Sequence, residues 1–176
     1  VYAAKQSSGG SNVYRSLDGG GNWSVINNGV ASSGKYRPLI AVTPINPNVI
    51  YALYSASDYS FHGIYKSTDG GDNWSLQSNS PNILGRDTDG TGTGGQSWYD
   101  LSLGVSNNDE NHLFVGGINL WESTDGGANW TIEASSGNGN YAYMHVDQHC
   151  LEFHPITNVP YAGNDGGLYK YLDNLN

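Results

Sequence analysis

The chemically richest stretch of the chain is His145-Val146-Asp147-Gln148-His149. On an extended strand alternate side chains share a face, so His145, Asp147 and His149 are expected to project together. Two imidazoles and a carboxylate could ligate a divalent transition metal. A hydrogen-bonded cluster in which the carboxylate orients an imidazole accounts for the same residues. Asn164-Asp165-Gly166-Gly167 has the composition of a tight hairpin turn, and its Asp165, with Asp147 and Asp100, completes a set of three candidate catalytic carboxylates. Cleavage of a glycosidic bond would need two of them separated by roughly 5–9.5 Å.

A second candidate ion site lies in the Gly85–Gly95 loop, where Asp87, Asp89 and Thr91 have the one-three-five spacing of a calcium loop. Gly92 follows at the sixth position, but the twelfth is Trp98 and not a bidentate glutamate, so an ordinary Gly/Asp loop explains the segment equally well. The sequence requires no cofactor; calcium and a divalent transition metal are the two candidate ions. Trp98 and Tyr99 could form a stacking platform for a sugar, and Tyr143, His145 and His149 complete the candidate ligand-binding set. The loop Ser55–His62 adds Asp58, Tyr59 and His62.

The elements that must hold these groups are short strands. Apolar residues come in brief runs bounded by Gly, Asn, Asp or Pro, without a helical period. Nothing approaches the roughly 18 consecutive apolar residues of a membrane helix. Over 176 residues there are 25 Gly, 13 Tyr and 5 Trp, with 7 basic against 16 acidic residues and a net charge of −9. Phosphate backbones require a basic footprint, so nucleic acid is excluded as a partner. The lone Cys150 can form no disulfide within the chain and is expected to act as a small hydrophobe.

Three segments align without gaps at Ser16–Trp23, Ser67–Trp74 and Ser123–Trp130, each reading Ser-x-Asp-Gly-Gly-x-x-Trp. A broken fourth copy, Leu168–Asp173, carries Tyr171 in the serine position. Self-similarity at about fifty residues signals a propeller or a solenoid. Glycine supplies the positive φ of a tight turn. Asp18, Asp69 and Asp125 can accept from the turn's own amides, helped by Ser16, Ser67 and Ser123. Trp23, Trp74 and Trp130 then begin the next strand and are expected to bury their rings between sheets. These nine residues are assigned structure and no chemistry. The Asn-Trp-Ser/Thr sequons at Asn22, Asn73 and Asn129 are by-products of the repeat.

The motif resembles the Asp box, and the whole chain resembles the β-propellers that carry it: bacterial sialidases, xyloglucan-cleaving glycosidases, sortilin-type receptors and secreted Bacteroidetes repeat proteins. The resemblance implies an all-β fold in which each box occupies the hairpin between the third and fourth strands (C and D) of a blade, remote from any active site. It also implies a secreted or cell-surface location, in a bacterium. Similar pairings of His-x-Asp-x-His with Asn-Asp-Gly-Gly occur among the Bacteroidetes members and suggest a shared site.

Innermost strands are expected at Leu39–Thr43, Leu101–Val105 and Val146–Phe153, and second strands at Val49–Tyr54, Leu113–Val115 and Val159–Ala162. The result is a single segment over residues 1–176, a partial propeller of about 3.5 four-stranded antiparallel blades spanning roughly 1–30, 31–78, 79–135 and 136–176. Both ends fall inside a blade. The chain is therefore expected to be a fragment, its ring completed by the remainder of its own propeller or by another chain. In this topology the loop 79–97, the His145–His149 stretch and the Asn164–Gly167 turn all reach the rim opposite the boxes. Tyr36 and Tyr99 occupy the register position of Asp147 in the sibling blades, so the fold itself does not demand the polar trio. The expected function is recognition or scaffolding for a glycan or protein. The alternative is a glycoside hydrolase of xyloglucanase or sialidase type, the latter disfavoured because only Arg15, Arg37 and Arg86 are available for an arginine triad.

Overall fold

A computed structural model describes residues 1–7, 10–137 and 139–171. Asp173 of the broken fourth repeat lies outside the described residues. The described residues form strands and turns without a helix, so none is long and apolar enough to cross a membrane. Strands β1 (Tyr2–Lys5), β2 (Asn12–Arg15) and β3 (Ser24–Val25) make the first sheet, and β4 (Lys35–Val42), β5 (Ile50–Ala56), β6 (Phe61–Ser67) and β7 (Ser75–Ser78) the second. The third contains β8 (Ser102–Val105), β9 (Leu113–Gly116), β10 (Leu120–Ser123), β11 (Thr131–Ser135) and β12 (Ala142–Tyr143). The fourth contains β13 (Gln148–Phe153), β14 (Pro160–Asn164) and β15 (Gly167–Lys170). Sequential neighbours pair antiparallel throughout, except that β12 adds to β11 in parallel, a pairing the sequence did not announce.

The sheets stack in chain order. Their leading strands lie against one another, β1 on β4, β4 on β8 and β8 on β13. Strand β5 shows why. Every second residue faces a different neighbour: Ile50, Ala52 and Tyr54 join Val13 and Ile26 of the first sheet, while Tyr51 and Leu53 join Leu101, Leu113 and Val115 of the third. A strand covered on both faces can be apolar at nearly every position. A third cluster, of Phe114, Leu120, Leu151, Phe153 and Ala162, repeats the arrangement between the third and fourth sheets.

Each Ser-x-Asp-Gly-Gly-x-x-Trp box lies between two antiparallel strands, β2 and β3, β6 and β7, or β10 and β11. The three share one hydrogen-bond pattern. Ser16, Ser67 and Ser123 Oγ donate to Asp18, Asp69 and Asp125 Oδ1 at 2.8, 2.8 and 2.9 Å. The same hydroxyls accept from the amides of Gly20, Gly71 and Gly127 at 2.8, 2.8 and 2.9 Å. The second carboxylate oxygens accept from Asn22, Asn73 and Asn129 Nδ2, each at 2.7 Å. These donors hold all three carboxyls below the ordinary aspartate range, Asp69 at about 2.

The box tryptophan reaches back to the preceding sheet. Trp74 Nε1 donates to the Ile26 carbonyl at 2.7 Å, and its backbone amide donates to Asn28 at 2.9 Å. A Cβ on Gly29, at φ +93, would lie 2.1 Å from the Trp74 carbonyl, so the close approach admits only glycine. Trp130 Nε1 likewise donates to Ser78 Oγ on β7 at 2.9 Å. Trp23 departs from the expected burial. It is 42% exposed against 5% for Trp74, and its Nε1 turns to Gly20 within the box where that of Trp74 reaches Ile26 of another sheet's edge. Cys150 also departs from expectation and is exposed.

Trp74→Ala should therefore cost about 3–5 kcal/mol of unfolding free energy, the usual range for a buried large aromatic; Trp23→Ala should cost well under half of that, both read by urea denaturation. Equal losses would contradict the sheet-bridging role. The box carboxyls also set an acid limit. Their native values are depressed, so their contribution is complete above the unfolded value of 3.8 and disappears as pH falls towards 2. Melting temperature should decline through that window, and Asp69→Asn should flatten the decline.

Candidate functional site

Residues 96–100 form a single turn in which the amides of Tyr99 and Asp100 donate to the Gln96 carbonyl at 2.8 and 3.2 Å. The turn is anchored from β4 by Arg37, whose guanidinium donates to the Ser97 carbonyl at 2.8 Å. On its other side the Gly94–Gly95 segment is pressed against the β5–β6 loop. A Cβ on Gly95 would stand 2.4 Å from the Tyr59 carbonyl and 2.7 Å from that of Leu84. This clamped turn presents Trp98 and Tyr99 outward and Asp100 inward.

Asp100 is fully buried. Its Oδ2 accepts from Gln96 Nε2 at 2.9 Å, and the same amide group donates to Asp147 Oδ1. Burial pushes the Asp100 carboxyl up to about 7; the Gln96 hydrogen bond opposes the rise and the charge of Asp147 adds to it. Asp147 does not sit on a strand. Its φ is 69°, in the left-handed region that aspartate tolerates better than most residues, and β13 starts one residue later than that.

That backbone reversal corrects the expected strand alternation of His145, Asp147 and His149. Asp147 turns to Gln96. His145 Nδ1 approaches the Val146 carbonyl at 3.1 Å, and its Cβ side packs over Gly166. His149 pairs through Nε2 with Asp165 Oδ1 at 2.8 Å. Among the described residues no group of three His, Cys, Asp or Glu side chains is arranged to hold a metal. The Asp87–Thr91 loop closes on itself: Asp89 Oδ1 accepts from the Thr91 amide at 3.0 Å and from its hydroxyl at 2.8 Å, which lowers the Asp89 carboxyl.

What the fold does assemble is a second carboxylate cluster. Tyr99 Oη donates to Asp165, at 2.9 and 3.1 Å from its two oxygens, and packs edge-on to His149 with centroids 4.9 Å apart. His149 and Tyr99 together hold the Asp165 carboxyl below its ordinary range, and the bond to Asp165 raises the Tyr99 phenol. Trp98 lies beside Tyr99, centroids 5.6 Å apart and rings inclined at 44°. Trp98 and Tyr99 are 60% and 43% exposed. Tyr143, 69% exposed on β12, lines a different cleft of about 680 Å³ with Tyr141, Tyr169 and Lys170.

Three participants escaped sequence reasoning: Gln96, Arg37 and Asn164. Gln96 stands four residues before Asp100, a spacing that places an amide and a carboxylate together once the segment makes a helical turn. Arg37 acts across sheets, with no local signal. Asn164 Nδ2 donates to the His145 carbonyl at 3.0 Å and to Gln148 Oε1 at 3.1 Å; in sequence it reads as turn chemistry alone.

No family model matches the chain, and no curated protein matches it. Solved structures do. The GH74 enzyme of Niastella koreensis superposes with a TM-score of 0.59 at 23% identity, covering 98% of this chain and 28% of that one. An ancestral GH74 enzyme gives 0.56 at 18%, covering 90% and 20%. YCF48 from Cyanidioschyzon merolae gives 0.53 at 21%, covering 99% and 52%. The chain thus spans about a quarter of the GH74 enzymes and half of that YCF48. These are β-propeller folds, and the likeness is one of fold.

The buried carboxyl makes a measurable demand on stability. Asp100 is raised from 3.8 to about 7, so the native state keeps a proton that the unfolded chain has lost, and stability falls as pH rises through that interval. Asp100→Asn keeps an acceptor for Gln96 and offers Asp147 a donor. It should leave the melting temperature nearly unchanged at pH 4 and stabilise by roughly 2 kcal/mol at pH 8. A difference independent of pH would contradict a protonated Asp100.

Proposed function

We propose that this chain is part of an exported β-propeller whose Trp98–Tyr99 rim recognises carbohydrate. The four sheets are read as blades, about 3.5 of them, with the Asp boxes on the C–D hairpins and the ring completed by further propeller or a second chain. The observation that carries the functional reading is the pair of inclined, exposed rings of Trp98 and Tyr99 set directly beside Asp165 and His149. Sugars present an apolar face for stacking and a belt of hydroxyls for hydrogen bonding. An aromatic body with polar groups fixed at its edge meets both needs. Because Tyr99 and His149 already order Asp165, little side-chain entropy remains to be lost on binding. Protein recognition is the companion reading, suggested by one fold neighbour, a YCF48 bound to D1 peptide, at a TM-score of 0.50 and 12% identity.

Glycoside hydrolysis is the second reading, favoured by the Asp100 carboxyl at about 7, where a general acid would be poised. Two features weigh against it. Asp100 is closed to solvent, and both Asp100 and Asp147 bond one nitrogen of Gln96, which leaves them on one side of any bound sugar.

Calorimetric titration with xyloglucan, cello-, xylo- and sialyl-oligosaccharides separates the readings. Binding to at least one class, weakened tenfold or more (about 1.4 kcal/mol) by Trp98→Ala and unaffected by Trp23→Ala, is expected. Absence of binding to every class would remove the carbohydrate reading. Release of reducing sugar that is abolished by Asp147→Asn would replace it with hydrolysis.

A further inference from the structure

We propose that Asp100, Asp147 and the side-chain oxygen of Gln96 form a site for a hard divalent cation of the calcium and magnesium class, distinct from the aromatic rim. The starting observation is an unmet valence. Asp100 is fully buried, its Oδ2 is bonded to Gln96, and its Oδ1 accepts from no donor among the described residues; the neutral acid can spend its proton on Asp147, whereas the ionised carboxylate leaves that oxygen bare. Buried carboxylate oxygens are normally saturated with donors, because leaving one dry forfeits its hydration without replacement. Ser97 Oγ, in the same turn, is also buried and without a partner.

The surroundings are built for positive charge. A single amide group, Gln96 Nε2, donates to both carboxylates at once, so the point between them already attracts a partial positive charge. No Lys or Arg makes an ion pair with either aspartate among the described residues. Asp147 is brought there by a left-handed backbone conformation, with its amide tied to the Ile118 carbonyl at 3.3 Å. A half-turn of the Gln96 amide exchanges its nitrogen for its oxygen at nearly constant shape, converting a donor between two carboxylates into a third oxygen ligand.

Ligand type selects the ion. Carboxylate and amide oxygens suit calcium and magnesium, and water fills the remaining positions. The imidazoles that would draw a transition metal are committed elsewhere, His149 to Asp165 and His145 to the Val146 carbonyl. Of the three ligands only Gln96 lines the open cleft of about 670 Å³, beside Arg86, Asp87 and Thr91; with Asp100 buried and Asp147 partly exposed, an ion would have to arrive past Gln96 and Asp147.

The test is calorimetric titration of the chelator-treated chain with calcium chloride and with magnesium chloride, paired with melting curves in each. One site is expected. Asp147→Asn and Gln96→Leu should each weaken binding at least tenfold and reduce the ion-dependent rise in melting temperature, while Asp89→Asn leaves both unchanged. Asp100→Asn should abolish binding with its fold verified by circular dichroism; Asp147→Asn, at a half-exposed position, carries the test if that variant fails to fold. No heat and no melting shift with either ion at millimolar concentration overturns the proposal, as does binding that survives Asp147→Asn and vanishes in Asp89→Asn. Carbohydrate binding is measured separately with Trp98→Ala, so either reading can fail without the other.

Discussion

The architecture depends on one contact made repeatedly, the seating of a box tryptophan on the sheet before its own. Trp74 donates its indole hydrogen to a carbonyl of the first sheet and its amide to another, over a glycine that alone permits the approach. A sheet of three or four short strands has two apolar faces and cannot cover either by itself. The indole locks the angle at which the next sheet arrives, and the cores between sheets then follow from strand alternation. The Ser–Asp hydrogen bonds serve this contact indirectly, since they fix the turn from which the tryptophan projects.

Stacking of this kind also explains how the chain keeps a polar site at the sheet ends. Burial is consumed between faces, where Ile50 to Tyr54 are wholly enclosed, and the connecting loops are left free to carry specific groups. The 79–100 segment is held from three directions, by Arg37 from β4, by the Tyr59 carbonyl against Gly95, and by Asn119 Nδ2, which donates to the Arg86 carbonyl at 3.0 Å. Such clamping lets Trp98 and Tyr99 remain exposed without being mobile anchors.

Strand positions were legible because each relied on local rules. The second strands expected at Val49–Tyr54 and Leu113–Val115 are β5 and β9 to within two residues, since apolar runs between turn residues have few other uses. The box turns were legible down to their hydrogen bonds. The His145–His149 stretch was legible in composition but not in geometry: alternation assumes an extended backbone, and Asp147 leaves it. Its true partners, Gln96 and Asp100, lie some fifty residues away and meet it only because β8 packs against β13. Pairings that arise from sheet stacking leave no trace in the local pattern; β12 escaped for a different reason, as a two-residue strand added in parallel to β11 of its own sheet.

The two carboxylate clusters divide the site by how they neutralise charge. Asp165 is satisfied by a phenol and an imidazole at its edge and stays a carboxylate in solvent, the state needed to accept hydrogen bonds from a hydroxyl-rich ligand. Asp100 and Asp147 share one amide between them and bury one oxygen without a donor. Two facing carboxylates with so few donors must take up a positive charge, and a proton on Asp100 is the smallest one. A divalent ion is the alternative that also fills the empty valence of Oδ1. Which of the two occupies the pair decides the chemistry of this end of the molecule: a proton leaves an acid beneath the rim, whereas an ion turns the pair into a brace that fixes the Gln96–Asp100 turn from which Trp98 and Tyr99 project.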